Sequence, residues 1–296
     1  MTTTICIRLS GGLGNQMFQY ALGRSMADRY GYGLQLDASG FLLRKQGVTP
    51  REYALDVFRV RTSVNQKGAL YGEFLLRVIK KIPKICRLLG IRFEYNENYD
   101  PMVMKERGYR YWIGYWQSYR YFESFSRAIY EDFRPQRRPS KYAIDFVRNL
   151  KPERSIMLHV RRGDYVSSSS AYSYHSTLSL EYYREAIDRC NSMITNPIFY
   201  VFSDDIKWCR EQQIVHSNSV FYVDQNPDRK DWEDLWMMSN CYHQIIANSS
   251  FSWWSAWLSD QRHKEISKRL VIAPGNWFKT RKILTGDRFP THWTTI

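Results

Sequence analysis

Arg161 and Arg162 stand side by side directly after an apolar run, in Ile156-Met157-Leu158-His159-Val160-Arg161-Arg162-Gly163-Asp164. The run reads as a buried strand that ends by delivering two guanidiniums into a loop, and the strand ends of α/β proteins are where ligands sit. A guanidinium is a planar fork that matches phosphate oxygens, and two together leave a strong positive field until an anion arrives. A diphosphate is the natural guest. An exposed Arg pair after a strand is the plain alternative.

Other polar stretches fall at similar places. In FSDD at 202–205, Ser or Asp suits the N-cap of a helix starting at Ile206, so one carboxylate is used and Asp204 remains to take a hydroxyl or an amino group. A metal reading of the Asp pair lacks accompanying carboxylates. In ANSSFSWW at 247–254 a strand turns into a helix, and small hydroxyls with free amides at a helix N-terminus favour an anion, while the Trp pair reads as core. Asp234 sits on an otherwise apolar helix and needs a donor, for which the amino edge of guanine is suitable. Near the start, Gly11, Gly12 and Gly14 let backbone approach a ligand closely, although a tight strand-to-helix turn explains them equally well. Asn15 and Gln16 at that helix mouth carry amides that suit hydroxyls better than phosphates. A Walker lysine, GxSxG, HxxxH, HExxH and a Cys–His nucleophile signature are all absent, so the anion site is meant for a ligand that brings its own leaving group.

The elements that must position these groups alternate regularly. Strands are expected at 155–160, 198–203, 220–223, 244–247 and 270–273, with helices at 180–194, 205–212, 231–242 and 251–259 between them, which calls for a parallel, doubly wound sheet. The small polar stretch 167–177 reads as a flap over the strand ends. In the first half a strand at 3–9, a helix closed by Gly31 and a second strand at 34–37 open a Rossmann-like unit. The aromatic stretch 109–125 reads as a core strand flowing into a helix. The segment 134–139, with two prolines, is the expected linker, giving domains 1–139 and 140–296. Residues 75–89 form a cationic amphipathic segment interrupted by Pro83. It reads either as a helix packed on its own domain or as a surface that leans on anionic lipid headgroups.

Composition sets the outer bounds. The 296 residues, 44% hydrophobic, support two ordinary domains with real cores. The net charge of +14 points to anionic partners, and 22 Tyr with 10 Trp suit sugars or single-stranded nucleic acid. Against a nucleic-acid module, the charged motifs sit at strand ends rather than along one face. The five cysteines are scattered and never spaced as CxxC, so neither disulfides nor zinc is expected. No apolar run has bilayer length and the N-terminus lacks a signal-peptide layout, which makes a cytoplasmic location the expectation.

Five stretches in order, GGLGNQMFQYA at 11–21, GYWQS at 114–118, HVRRGDY at 159–165, FSDD at 202–205 and NSSFSWWSAWL at 248–258, resemble the bacterial α-1,2-fucosyltransferases of glycosyltransferase family 11. The resemblance covers about residues 5 to 278. It implies an α/β, GT-B architecture, two Rossmann-like domains facing across a cleft, with GDP-β-L-fucose held mainly by the second. It implies inverting transfer to the 2-hydroxyl of a terminal β-galactoside, without a cofactor or an obligatory metal. The acceptor would be a galactose-terminated oligosaccharide or a lipid-linked glycan of a bacterial surface polysaccharide, met at the inner face of the membrane.

By position, Arg161 would neutralise the departing diphosphate and Arg162 would support it or its loop. His159 and Asp234 would address the guanosine, Ser249 and Ser250 the phosphates, and Asp204, Gly12 and Asn15 would complete the donor site. Gln16 and Asp37 fall on the acceptor side. An inverting displacement benefits from a carboxylate near the attacking hydroxyl. Asp164, Asp37 and Asp204 are the candidates; Asp164 lies in the signature, where it could equally hold Arg161 or Arg162 in place.

Overall fold

The computed structural model describes residues 3–42, 50–66, 71–162, 178–216, 219–224, 230–263, 268–278 and 286–296. The chain divides into two compact units, Met1–Arg137 with Gly286–Phe289, and Arg138–Thr285 with Pro290–Ile296. The division falls between Arg137 and Arg138. The return of Gly286–Phe289 to the first unit was not anticipated, because nothing in its local sequence marks it.

The first unit opens with β1 (Thr4–Arg8), α1 (Leu13–Tyr30) and β2 (Gly33–Asp37), the expected strand, glycine loop, helix and strand. It continues through β3 (Ser63–Asn65), α2 (Glu73–Ile79), α3 (Pro83–Leu88), β4 (Ile91–Phe93), β5 (Tyr111–Ile113) and α4 (Ser126–Asp132). The strands form one sheet in the order β3-β2-β1-β5-β4, parallel throughout. Its middle strand, β1, is buried from Ile5 onwards, as a parallel strand covered on both faces must be. Strands β3 and β4 have three residues each, too short to show a period of two in the sequence. Of the aromatic stretch, Trp112 and Trp116 are fully buried and meet edge-to-face at 5.9 Å, so they are core as expected.

The second unit contains α5 (Lys141–Asn149), β6 (Ser155–Val160), α6 (Leu180–Met193), β7 (Ile198–Ser203), α7 (Ile206–Glu211) and β8 (Val220–Tyr222). It ends with α8 (Asp231–Asn240), β9 (His243–Ile245), α9 (Ser250–Arg262), β10 (Val271–Ala273) and β11 (Thr294–Thr295). All five expected strands are present, and β11 joins them at the edge in the order β11-β10-β9-β6-β7-β8, again parallel. Every residue of β6 is buried. Ile156, Leu158 and Val160 pack with Tyr183, Ala186 and Ile187 of α6 in one core. Side chains of this size each contribute about 1.5–3 kcal/mol when fully buried, which fixes the strand that carries the arginines.

Candidate active site

Because β7, β6 and β9 are adjacent and parallel, their C-terminal ends share one edge of the sheet. The register pairs Val160 with Ser203 and Leu158 with Ile245. Arg161 therefore emerges beside Asp204, and the segment leading into α9 follows on the other flank. Arg161 Nη1 lies 2.9 Å from Asp204 Oδ2, and the Arg162 backbone N–H donates to Asp204 Oδ1 at 2.9 Å. Asp204 was expected to be available for a hydroxyl or amino group. It instead holds both arginines, since parallel register sets a carboxylate against a guanidinium one strand away.

The two arginines are not equivalent. The Arg162 guanidinium lies 3.8 Å from the centre of the Trp208 ring, with Nε 3.4 Å from Asp205 Oδ2. Asp205 also caps α7 by accepting from Trp208 N at 3.1 Å, the capping role expected of this pair. Arg162 is thus anchored on α7 by stacking and charge. Both arginine side chains remain 25% exposed, against 20% for that of Asp204. A partly solvated guanidinium held in one orientation is suited to an incoming anion.

His159 is buried, 6.0 Å ring to ring from Phe251 in the first turn of α9. Burial, with the Arg161 charge adding to it, holds its pKa down to about 3, so the imidazole is neutral. Among the described residues its Nδ1 has no hydrogen-bond partner. Ser249 is the N-cap of α9, its Oγ accepting from Phe251 N at 3.3 Å, and Ser250 begins the helix. The positive end of the helix dipole is therefore at this edge. Trp253 and Trp254 are core. On α8, Asp234 is half-buried; the buried acid there is Glu233, which accepts from Ser140 N at 2.6 Å and ties α8 to the start of α5. Asp164 and the expected flap at 167–177 lie outside the described residues.

The first unit carries its own polar cluster at the strand ends. Gly11 has φ +76°, and a Cβ there would come within 2.3 Å of the Asn15 side chain, so the turn requires glycine. Gly12 is the extended N-cap of α1, and a Cβ on it would meet only the Arg51 guanidinium, at 3.8 Å. Asn15 Oδ1 accepts from Gln117 Nε2 at 2.8 Å, and Gln117 Oε1 accepts from Arg288 Nη1 at 2.6 Å.

The two residues expected on the acceptor side point inward. Gln16 is buried; its Nε2 donates to Gly11 O at 3.1 Å and Glu52 O at 2.7 Å, and its Oε1 accepts from Ala54 N at 3.0 Å. Asp37 is buried as well, accepting from Ser39 N at 2.9 Å and from the Tyr111 hydroxyl. Both hold backbone and core where direct sugar contacts were expected, because the positions that carry them on α1 and β2 are fully buried.

Sequence reasoning missed Glu94, which follows β4. Its carboxylate accepts from Tyr115 N at 2.6 Å and Trp116 N at 3.0 Å, fixing the turn in which Trp116 takes the left-handed φ of 56°. A Cβ on Gly114 would lie 2.4 Å from Glu94 Cβ, so this approach also requires glycine. Burial pushes the Glu94 carboxyl up to about 7, with Glu97 adding to the rise and the two backbone N–H groups and Arg288 opposing it. The GYWQS stretch was the available signal, although its aromatic residues read mainly as core.

Residues 96–296 match the family described as Glycosyl transferase family 11, which is more than half of the chain. An α-1,2-colitosyltransferase of Escherichia coli is 34% identical over 300 residues, covering 99% of this chain and 98% of the relative. The O-antigen biosynthesis glycosyltransferase WbnK of Escherichia coli is 29% identical over 91% of this chain and 93% of its own length. Among solved structures, the NodZ α-1,6-fucosyltransferase soaked with GDP-fucose superposes with a TM-score of 0.50 at 15% identity, covering 87% of this chain and 93% of that one, a likeness of fold. With a parallel Rossmann-like sheet in each of its two units, the GT-B plan, the chain belongs to glycosyl transferase family 11 and is a glycosyltransferase.

Proposed function

We infer that this enzyme transfers L-fucose from GDP-β-L-fucose to the 2-hydroxyl of a terminal β-galactoside, with inversion, giving an α-1,2-fucosylated glycan and GDP. The observation that supports it most is Arg161, oriented by Asp204 at the end of β6 beside the N-terminus of α9. In the proposed step the galactose 2-oxygen attacks the anomeric carbon, the bond from that carbon to the β-phosphate oxygen breaks, and the electron pair leaves with GDP. Negative charge builds on the leaving phosphate, and fixed cations and helix-end amides absorb it with no metal required.

Arg161 carries most of that charge, with Arg162 bracing the loop from Trp208. Ser249 and Ser250 present the helix end to the phosphates, and neutral His159 and Asp234 address the guanosine. Asp164 takes the proton of the attacking hydroxyl. Gln16 and Asp37 act through the backbone and core they hold. The acceptor is a galactose-terminated oligosaccharide or lipid-linked glycan of the O-antigen class, handled in the cytoplasm; nucleic acid has no place in this reading.

A second donor is favoured by one finding, the 34% identity to an α-1,2-colitosyltransferase. Colitose is the 3-deoxy counterpart of L-fucose, so the two donors place the same demands on the diphosphate site and differ only at one hydroxyl. The experiment offers GDP-L-fucose and GDP-L-colitose separately with a lactose-type acceptor, measures GDP release and treats the fucosylated product with an α-1,2-specific fucosidase. Fucose transfer cleaved by that enzyme and unaffected by EDTA is the expected result, with colitose transfer alone selecting the second donor. Arg161→Ala should lose about 100- to 1,000-fold in kcat, the effect of one such donor. Normal turnover by that variant refutes the assignment.

A further inference from the structure

Helices α2 and α3 sit on the edge of the first sheet through Leu76, Ile79 and Cys86, which pack with Ile91, Phe93 and Tyr111. Their other side is unusual. Phe74 is 81% exposed and Leu88 85%, and Leu75, Val78, Ile82 and Ile85 are exposed with them. Phe74 and Val78 are one helical turn apart, as are Ile85 and Leu88, so each short helix turns an apolar pair outward while its opposite side is already satisfied by the sheet. Exposed aliphatic and aromatic side chains gathered this way mark an interaction surface.

The charges around them indicate what it meets. Arg77, Lys80, Lys81, Lys84 and Arg87 are all exposed among these residues, and the only acid from 73 to 89 is Glu73, already paired with Arg8 at 2.9 Å. Lysine is depleted from the cores of protein–protein interfaces, whereas a mixture of Lys, Arg and bulky apolar side chains is the composition that lies in a lipid headgroup layer. There the apolar tips enter the acyl boundary, and the long basic side chains reach back to the phosphates. Neither helix exceeds seven residues, and no described helix is long and apolar enough to cross a membrane.

We propose that the outer side of α2 and α3 is a peripheral docking surface for an anionic lipid bilayer. The proposal does not depend on which sugar the enzyme transfers. It rests on exposed groups outside the polar clusters described above.

The test uses the full-length protein and sedimentation of sucrose-loaded vesicles, made either of phosphatidylcholine alone or with about one-third phosphatidylglycerol. Binding to the anionic vesicles is expected, weakening as salt is raised. Each of Lys81→Gln and Lys84→Gln should lower the partition coefficient by about fivefold. Phe74→Ser and Leu88→Ser should lower it by about tenfold each, because their apolar contact with the acyl boundary is lost. All four variants should retain the wild-type melting temperature and turnover of a soluble acceptor, since the substituted side chains are exposed. The proposal is overturned by failure to bind anionic vesicles, by equal binding to neutral ones, by variants that bind as wild type, or by a wild-type dimer that Phe74→Ser converts to monomer.

Discussion

Replacing Asp204 by Asn separates positioning from binding in this site. The amide is nearly isosteric, and its oxygen still accepts from Arg162 N, where Asp204 Oδ1 now does so at 2.9 Å. The charge opposite Arg161 Nη1, also at 2.9 Å, is removed. A hydrogen bond between charged partners contributes about 1.5–3 kcal/mol. With both side chains 20–25% exposed, the pair falls short of the 3–5 kcal/mol associated with fully buried ones.

If that free energy serves to orient Arg161 toward the leaving phosphate, kcat falls by about 10- to 150-fold at 1.36 kcal/mol per decade. Ground-state binding moves the other way. Removing a carboxylate makes the edge one charge more positive, so a diphosphate should bind equally well or better. Steady-state kinetics with varied donor, together with calorimetric titration of GDP, read the two effects apart. The expected result is reduced kcat with an unchanged or lower GDP dissociation constant. A raised donor KM at normal kcat would mean that Asp204 contacts the donor directly, and wild-type kinetics would mean that Arg161 needs no partner; either refutes the reasoning.

Acid should destabilise the second unit. His159, His243 and His263 are depressed to about 3, 4 and 4, burial being the leading cause in each. The unfolded chain therefore binds more protons than the native one below about pH 6.5, and stability is lost as pH falls from there toward 4. His243 shows why, since Nδ1 accepts from Leu270 N at 2.9 Å and Nε2 is 3.1 Å from Glu153 O, a pairing that assigns the proton to Nε2 and that only the neutral ring can make. Denaturant unfolding at pH 7, 6 and 5 should show the decline, and His243→Gln should flatten it. Asp260→Ala should destabilise by about 3–5 kcal/mol, because it leaves the fully buried Arg269 without its carboxylate and also removes an acceptor from Trp293 Nε1 at 2.7 Å. A loss below 1 kcal/mol by urea titration would contradict that estimate, a surface-pair value at most. Glu94→Ala should cost about 2–4 kcal/mol by freeing the Tyr115 and Trp116 N–H groups, a loss measurable as a lowered urea midpoint.

The order of strands and helices in the second unit was legible because each apolar run is short and bounded by turn or capping residues, with β6, β9 and β10 buried throughout. Asp205 and Ser249 are the same kind of signal, since a cap is satisfied within three residues of itself. The position of Arg161 and Arg162 at a strand end follows from that local pattern as well. What the sequence could not settle is which partner each polar group takes.

Asp204 meets Arg161 through the register of two parallel strands with a crossover between them. Gln16 and Asp37 turn inward because of the faces that α1 and β2 present to their neighbours. Arg288 reaches Gln117 across 171 residues of chain, and Glu94 holds a turn 21 residues away. Periodicity and capping act over a few residues, so they are written locally. The pairing of charges depends on distances that exist only once the sheets have formed, and those were left to the tertiary structure.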